Sequence, residues 1–254
     1  MQAEKIFEAL CEMAPLSLAL SFDNSGFLIG SKTAEIKKAV VCLDCTEEVI
    51  DHAINEGANL IITHHPVIFN PLKSVTYEQN RKIYRLLSGS LNLISMHTNL
   101  DCAIGGVNDC LAKAIGLGNI TAITDEEGFS LRQGEFESFV SADQLAELLK
   151  QKLGGNVRYV SKHPEEKTIK RVAVCGGSGG NFIPFAFKNG ADAFVTSEVK
   201  HDKFIFAADN GLAVFDAGHY FTEQTVVKPL CSYLKERFPQ VLFSEHYSVD
   251  IKTI

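Results

Sequence analysis

The sequence lacks a basic run, a long apolar segment and a low-complexity tract. Its formal net charge of −7 argues against nucleic acid as the main partner. No stretch approaches ~18 uninterrupted apolar residues, the length that predicts a membrane-spanning helix. The first ten residues are charged and amphipathic without a secretory hydrophobic region, so we expect a cytoplasmic protein outside the membrane.

Cysteine is present but carries no disulfide pattern. The seven cysteines are an odd number, lie mostly in apolar surroundings, and include a lone CxxC, Cys42 to Cys45. We therefore expect reduced, buried thiols rather than a disulfide framework. Hydrophobic residues make up 46% of the chain, which is enough for a substantial core in one large or two small domains.

Three short apolar runs each end in side chains that bind metals. Residues 59–62, 91–96 and 212–217 are typical of buried strands. Ligands in open α/β sheets collect beyond the carboxyl ends of strands. A mixed set of imidazoles and carboxylates suits Zn, Fe, Mn or Ni. The pattern predicts a metal centre with more than one ion, built from His64, His65, His97, Asp101, His219 and Glu223.

Each member of this set also has an ordinary structural explanation. His97 with Asp101 is typical of a hydrogen-bonded turn, and Glu223 in a first helical turn favours the helix dipole. The neighbours His64 and His65 point to opposite faces of a strand unless the backbone bends there. The convergence of all three strand ends favours the metal interpretation. A closed structural zinc site fits poorly, because such sites are rich in cysteine and these clusters contain none.

The chain contains an internal repeat. Gly57 and Gly190 follow corresponding helices, Thr63 and Thr196 end corresponding strands, and both pairs are 133 residues apart (190 − 57 = 133; 196 − 63 = 133). Chance similarity of two βαβ units is the alternative. The repeat predicts two related α/β halves, each with a mostly parallel sheet, over residues 1–125 and 126–254. Residues 121–134 are polar and predict a junction, and the C-terminal strand is free to return to the first half.

Two further features are candidate functional residues of the second half. The loop Gly176-Gly177-Ser178-Gly179 follows a strand and is typical of a phosphate- or cofactor-binding turn, although it lacks the lysine of a Walker A loop. Tight packing of the loop on the sheet is the alternative. Glu198 occupies the repeat position near His64 and is a candidate acid–base or supporting group; a solvated helix start is the alternative.

Five ordered motifs, spread over almost the whole chain, resemble the Nif-three-like family, whose members are often labelled GTP cyclohydrolase 1 type 2 homologs. The motifs are FDNSGFLIG (22–30), THHP (63–66), HTNLD (97–101), CGGSG (175–179) and GHYFTE (218–223). The length is similar to the family's short form, which lacks a central inserted domain. The sequence departs from the family pattern at Ser25, commonly a small apolar residue, and at His201-Asp202, where many members carry a histidine pair.

The resemblance implies a specific site and assembly. It implies two interlocking α/β halves packed around an interdomain dinuclear metal site, in toroidal homohexamers. The implied ligands of two divalent ions are His64, His65, Asp101, His219 and Glu223, with Glu223 bridging both ions. His97 would lie beside the site as a substrate-facing or supporting group.

The leading functional hypothesis is a metal-dependent hydrolase. Two neighbouring ions lower the pKa of a water toward ~7, which provides hydroxide at neutral pH. The resemblance and the glycine loop favour a small nucleotide-like or phosphate-bearing substrate, with His97 and Glu198 as candidate catalytic residues. The alternative is a non-catalytic metal-binding scaffold that regulates or binds partners.

Overall fold

The computed structural model describes residues 1–247. Its helices are α1 (Ala3–Met13), α2 (Glu47–Asn55), α3 (Arg81–Ser88), α4 (Thr98–Cys102), α5 (Val107–Ala114), α6 (Ala142–Leu153), α7 (Ile183–Lys188), α8 (His201–Asn210), α9 (His219–Glu223) and α10 (Val227–Arg237). Its strands are β1 (Gly26–Ile29), β2 (Lys38–Cys42), β3 (Leu60–Thr63), β4 (Asn92–Ser95), β5 (Gly118–Thr124), β6 (Ser130–Val140), β7 (Arg158–Val160), β8 (Ile169–Val174), β9 (Ala193–Thr196), β10 (Ala213–Asp216) and β11 (Leu242–Glu245).

The chain divides into two compact units. The first comprises Met1–Ile104 and the segment that begins at Val227, and the second comprises Gly105–Val226. These bounds differ from the predicted halves, 1–125 and 126–254. The difference arises because α5 and β5 pack with the second sheet, whereas α10 and β11 pack on β2 of the first.

The first unit is built on a five-stranded sheet of order β1-β4-β3-β2-β11. Strands β2, β3, β4 and β11 run parallel, and β1 pairs antiparallel with β4. Every residue of β3 and β4 is buried, as expected for the inner strands of a covered parallel sheet. Helix α2 connects β2 to β3; the Thr46 hydroxyl accepts from the Val49 N–H at its start, and Gly57 follows it with φ +68°.

The second unit is built on a six-stranded sheet of order β5-β6-β8-β9-β10-β7. Strands β8, β9 and β10 run parallel, and the flanking strands pair antiparallel. Helix α6 begins in a capping box, in which Ser141 and Gln144 each bond the other's backbone, and it packs Leu145 and Leu149 into the core. Among the described residues, no helix is long and apolar enough to cross a membrane.

The predicted junction over residues 121–134 is wrong. This segment is an antiparallel hairpin of β5 and β6, in which Thr121 lies opposite Gln133 and Thr124 opposite Ser130. Strand β5 is largely exposed along its whole length. Polar side chains on a solvated edge strand leave no apolar signal in the sequence, and for that reason the segment resembled a linker.

The strand register confirms the repeat. Ala39 of β2 lies opposite Leu60 of β3, and 133 residues later Val172 of β8 lies opposite Ala193 of β9. The next strand differs, because Asn92 is opposite Leu60 whereas Ala213 is opposite Ala193, an offset of 121 (213 − 92 = 121). The two His-x-x-x-acid patterns are therefore displaced by one residue. His97 precedes α4, but His219 is the first residue of α9.

Candidate metal centre

In the first unit, the chain bends sharply after β3. The N–H groups of His64 and His65 both donate to the Leu43 carbonyl, at 3.1 and 3.0 Å. This bend satisfies the condition for adjacent histidines to act together, and their ring centroids lie 4.8 Å apart. The ring of His97, from the end of β4, completes a group with ligand atoms within 4.8 Å of one another.

The acidic member of the first-unit group is supplied by α4. Asp101 lies in the first turn of this five-residue helix, and its Oδ1 is 3.5 Å from Nε2 of His64. The His64 side chain is only 1% exposed and that of Asp101 10%. A buried imidazole beside a buried carboxylate is a costly arrangement unless a cation or proton compensates the charge.

In the second unit, α9 holds His219 and Glu223 one helical turn apart. This spacing places the two side chains on one face, with His219 Nε2 3.0 Å from Glu223 Oε2. The Glu223 side chain is 5% exposed. The helix therefore brings both side chains to positions from which they can reach one ion.

All four histidines use the same ring nitrogen for a hydrogen bond within the protein. The Nδ1 partners are the Met96 carbonyl for His64 (2.9 Å), Asp44 for His65 (2.8 Å), Asp23 for His97 (2.6 Å) and Glu198 for His219 (2.7 Å). Carbonyl and ionised carboxylate oxygens only accept hydrogen bonds, so Nδ1 carries the hydrogen in each case. In the neutral ring, Nε2 is then the nitrogen that has the lone pair, as in metal-binding histidines whose other nitrogen is held by an oxygen acceptor.

Gly177 provides room for the second-unit ligands. A Cβ at this position would lie 2.0 Å from Glu223 Oε1 and 3.2 Å from His219 Nε2. Its φ of +64° is also a conformation that side-chain-bearing residues rarely adopt. Both observations indicate that glycine is required here to accommodate the side chains of the two candidate ligands, His219 and Glu223.

The rest of the glycine loop packs tightly, which is the alternative to the predicted phosphate cradle. The Gly176 N–H donates to Asn108 (2.8 Å), the Gly177 N–H to Thr222 (3.0 Å) and the Gly179 N–H to the Gly177 carbonyl (2.9 Å). Three N–H groups that a phosphate would need are thus already used. Ser178 is exposed. The glycines at 176 and 179 instead allow close packing, because a Cβ there would meet Val107 and Cys175 at 2.7 Å.

Glu198 is exposed, as expected for a solvated helix start, and it also contacts the candidate ligand His219. Its Oε1 accepts from His219 Nδ1, and its backbone adopts φ +53°, which is uncommon for a residue with a side chain. Such backbone strain often accompanies functional sites. His201 is exposed at the first position of α8 and belongs to neither ligand group.

Two supporting carboxylates, Asp44 and Asp23, were missed as individual residues in the sequence. Asp44 lies two residues beyond the end of β2, and a systematic search for acids beyond strand ends would have found it. Asp23 lies in a turn before β1. Burial raises the pKa of its carboxyl. Hydrogen bonds from His97, Thr98 and Ser25 together lower that pKa by more than burial raises it, so it lies well below its usual range.

The CxxC pair shows no sign of redox or zinc chemistry. Cys42 and Cys45 are both buried and reduced. Burial raises the pKa of Cys45 to about 12; Lys82 opposes this with a smaller lowering effect, and Glu47 and Asp44 add still smaller raising effects. A thiol with so high a pKa is almost wholly protonated at neutral pH and is a poor nucleophile and ligand.

The two-sheet architecture and the imidazole–carboxylate groups define a mixed α/β protein with a candidate metal site. Comparison with known families identifies one that matches almost the whole chain. The Duf34/NIF3 family, described as NGG1p interacting factor 3, matches residues 1–253. The chain belongs to this family.

Relatives of known sequence cover nearly the whole chain. A GTP cyclohydrolase 1 type 2 homolog from Clostridium perfringens is 34% identical over 245 residues, covering 93% of this chain and 92% of the relative. A homolog of the same name from Methanocaldococcus jannaschii is 30% identical and covers 96% and 99%. The alignment with a Staphylococcus aureus homolog runs over 361 residues, more than the 254 of this chain, in line with the short form expected here.

Solved structures show the same fold. The Staphylococcus aureus hypothetical protein SA1388 superposes with a TM-score of 0.89 at 30% identity, covering 100% of this chain and 99% of that one. Reduced HcgD from Methanocaldococcus jannaschii gives a TM-score of 0.84 at 30% identity, with 99% and 98% covered. These matches confirm the predicted family and the two-sheet α/β architecture.

Proposed function

We propose that this protein is a metal-dependent hydrolase whose ligand groups hold two divalent ions, of Zn, Fe, Mn or Ni. The observation that carries the proposal is the shared orientation of the four histidines, each held at Nδ1 so that Nε2 offers a lone pair. Metal-binding histidines almost always have their other ring nitrogen held by an oxygen acceptor in this way.

The proposed ligands are His64, His65 and Asp101 from the first unit and His219 and Glu223 from the second. Family membership supports assigning both groups to one dinuclear centre. When bound, divalent ions would lower the pKa of a water molecule toward ~7 and so supply hydroxide at neutral pH.

The protein's own residues orient these ligands and handle protons. Asp44 and Glu198 hold the rings of His65 and His219 and raise the basicity of Nε2. His97 lies beside the pair His64 and His65, with ring centroids 5.2 and 5.6 Å away, where it can exchange a proton with a substrate or water. Glu198 thus acts in this proposal through His219 rather than on the substrate.

The proposed substrate is a small nucleotide-like molecule. The names of the relatives, GTP cyclohydrolase 1 type 2 homologs, support this class. The glycine loop no longer adds support for a phosphate, because its N–H groups donate within the protein. The proposed bond broken by hydrolysis is accordingly a ring or ester bond of a nucleotide-like compound.

Metal content per chain tests the ligand assignment. Elemental analysis of untagged protein purified without chelators should give about two ions per chain. His65→Ala and Glu223→Ala should each lower this content, which tests one ligand from each unit. His163→Ala is the matched control, because this exposed histidine pairs only loosely with Glu166 at 3.5 Å. No bound metal after reconstitution, or equal loss in the control, would contradict the proposal.

Turnover tests the chemistry separately. A panel of nucleotides is incubated with metal-loaded wild type, Glu223→Ala and His97→Gln. We expect hydrolysis by the wild type only, with His97→Gln retaining metal because its proposed role is in proton transfer. A fully active Glu223→Ala protein with an intact fold would refute the dinuclear mechanism.

A non-catalytic scaffold is the second candidate function, favoured by the family's description as an interacting factor. It predicts bound metal and a stable assembly without turnover on any member of the panel. The toroidal homohexamer implied by the family resemblance belongs to both candidates. Sedimentation at six times the 27.8 kDa chain mass would support it.

A further inference from the structure

The turn that precedes β1 carries a buried carboxylate surrounded by hydrogen-bond donors. Oδ1 of Asp23 accepts from the Asn24 N–H (2.7 Å) and from His97 Nδ1 (2.6 Å). Oδ2 accepts from the Thr98 N–H (3.0 Å) and from the hydroxyls of Thr98 (2.6 Å) and Ser25 (2.7 Å). The Asp23 side chain is fully buried.

The two hydroxyls cannot turn away from this carboxylate without loss. The Thr98 hydroxyl oxygen accepts from the Leu20 N–H at 2.9 Å, and the Ser25 hydroxyl oxygen accepts from the His97 N–H at 3.0 Å. Each hydroxyl therefore has its hydrogen directed to Asp23. The four other groups around the carboxylate all donate, and the imidazole of His97 must donate as well.

We propose that Asp23 is a positioning residue that holds His97 in the Nδ1–H form and leaves Nε2 as the ring nitrogen that accepts a proton. This inference deepens the proposed function. It rests on that function only for the identity of the molecule with which His97 exchanges a proton. The 2.6 Å bond fixes the plane of a ring that is 17% exposed. A base whose tautomer and orientation are set in advance loses less freedom when it reacts.

An asparagine at position 23 would not reproduce this arrangement, because both carboxylate oxygens face a backbone N–H. If the amide oxygen accepts from the Thr98 N–H, the amide nitrogen opposes the Asn24 N–H, faces His97 Nδ1 and forces that ring nitrogen to accept. If the amide is reversed, its NH₂ group opposes the Thr98 N–H, which leaves two donors face to face. The first orientation gives up fewer bonds, so Asp23→Asn should convert His97 to the Nε2–H form.

The tautomer is measured directly by ¹⁵N solid-state NMR of full-length protein labelled in the histidine rings, in the presence of diamagnetic Zn²⁺. The chain has eight histidines, and subtracting the spectrum of His97→Gln isolates the signals of His97. We expect a protonated Nδ1 in the wild type and a protonated Nε2 in Asp23→Asn. Ser25→Ala is the matched control, since it removes a donor to the other carboxylate oxygen and should leave the tautomer unchanged.

Asp23→Ala is a second variant in case Asp23→Asn does not fold, and it should shift His97 toward the Nε2–H form that free imidazole side chains prefer. A wild-type Nε2–H form, or an Nδ1–H form that survives both Asp23 substitutions, would overturn the inference. A purely structural role for Asp23 would leave the tautomer untouched. The measurement needs no turnover, so a failure to find hydrolase activity would count against the proposed function alone.

Discussion

Substitution of Gly177 by alanine separates the ligand-seating role of this glycine from its conformational role. An alanine in the left-handed region costs about 1–2 kcal/mol, partly offset by the lower entropy of the unfolded chain. In addition, the new Cβ would lie 2.0 Å from Glu223 Oε1, whereas ordinary contact begins at 3.4 Å. The buried Glu223 carboxylate must therefore move by about 1.4 Å (3.4 − 2.0).

Gly211→Ala is the control, because Gly211 has φ +74° and no atom within 4 Å of an added Cβ. Both variants should lose similar conformational stability, with a fall in Tm of about 2–4 °C for each kcal/mol in a chain of this size. Only Gly177→Ala should lose metal affinity, by about 10–100-fold, the range found when residues supporting metal ligands are altered. Zinc titration against a competing chelator measures this difference. Equal zinc affinity in the two variants would refute the assignment of Glu223 as a ligand seated by Gly177.

Three further predictions concern supporting residues. Asp44→Asn should weaken metal affinity about 10–100-fold without unfolding the protein, since the acceptor of His65 Nδ1 becomes neutral; chelator competition measures it, and Asp209→Asn on the exposed end of α8 is the control. The Cys45 thiol, with a pKa of about 12, should resist alkylation at pH 8 in folded protein and react after denaturation, as mass spectrometry would show. Because the folded-state pKa of Asp23 is lowered, its contribution to the free energy of unfolding is present above the unfolded value near ~3.9 and disappears as pH falls further. Urea melts should therefore show that the stability difference between wild type and Asp23→Ala shrinks in acid; a constant difference from about pH 6 to pH 2 would contradict this.

The inner strands could be predicted, and the candidate ligands located beyond them, because both leave strong local signals. β3 and β4 are continuous buried runs, and the polar residues beyond them stand out against that background. The β5–β6 hairpin left no such signal, because its outer strand faces solvent and its pairing partner is set by tertiary contacts.

The orientation of the ligands was beyond the reach of sequence patterns. The contact of Asp23 with His97 spans 74 residues, and that of Glu198 with His219 spans 21. Neither spacing follows a helical or strand period, so periodicity cannot pair these residues. The glycine loop was ambiguous in the sequence for a related reason. Its composition fits both an anion-binding turn and tight packing. The two are distinguished only by the acceptors of the loop's backbone N–H groups, which the sequence does not reveal.

Corresponding positions of the internal repeat carry different side chains in the two halves. At the offset of 133, the ligand His65 corresponds to Glu198 (198 − 65 = 133), and its partner Asp44 corresponds to Gly177 (177 − 44 = 133). The first half carries His65 and the carboxylate of Asp44, which accepts a hydrogen bond from its ring. At the corresponding positions the second half carries Glu198, which accepts from His219, and Gly177, which makes room for Glu223. The halves share a scaffold but have become complementary parts. A chain assembled from two copies of either half would duplicate one group of candidate ligands and lose the other.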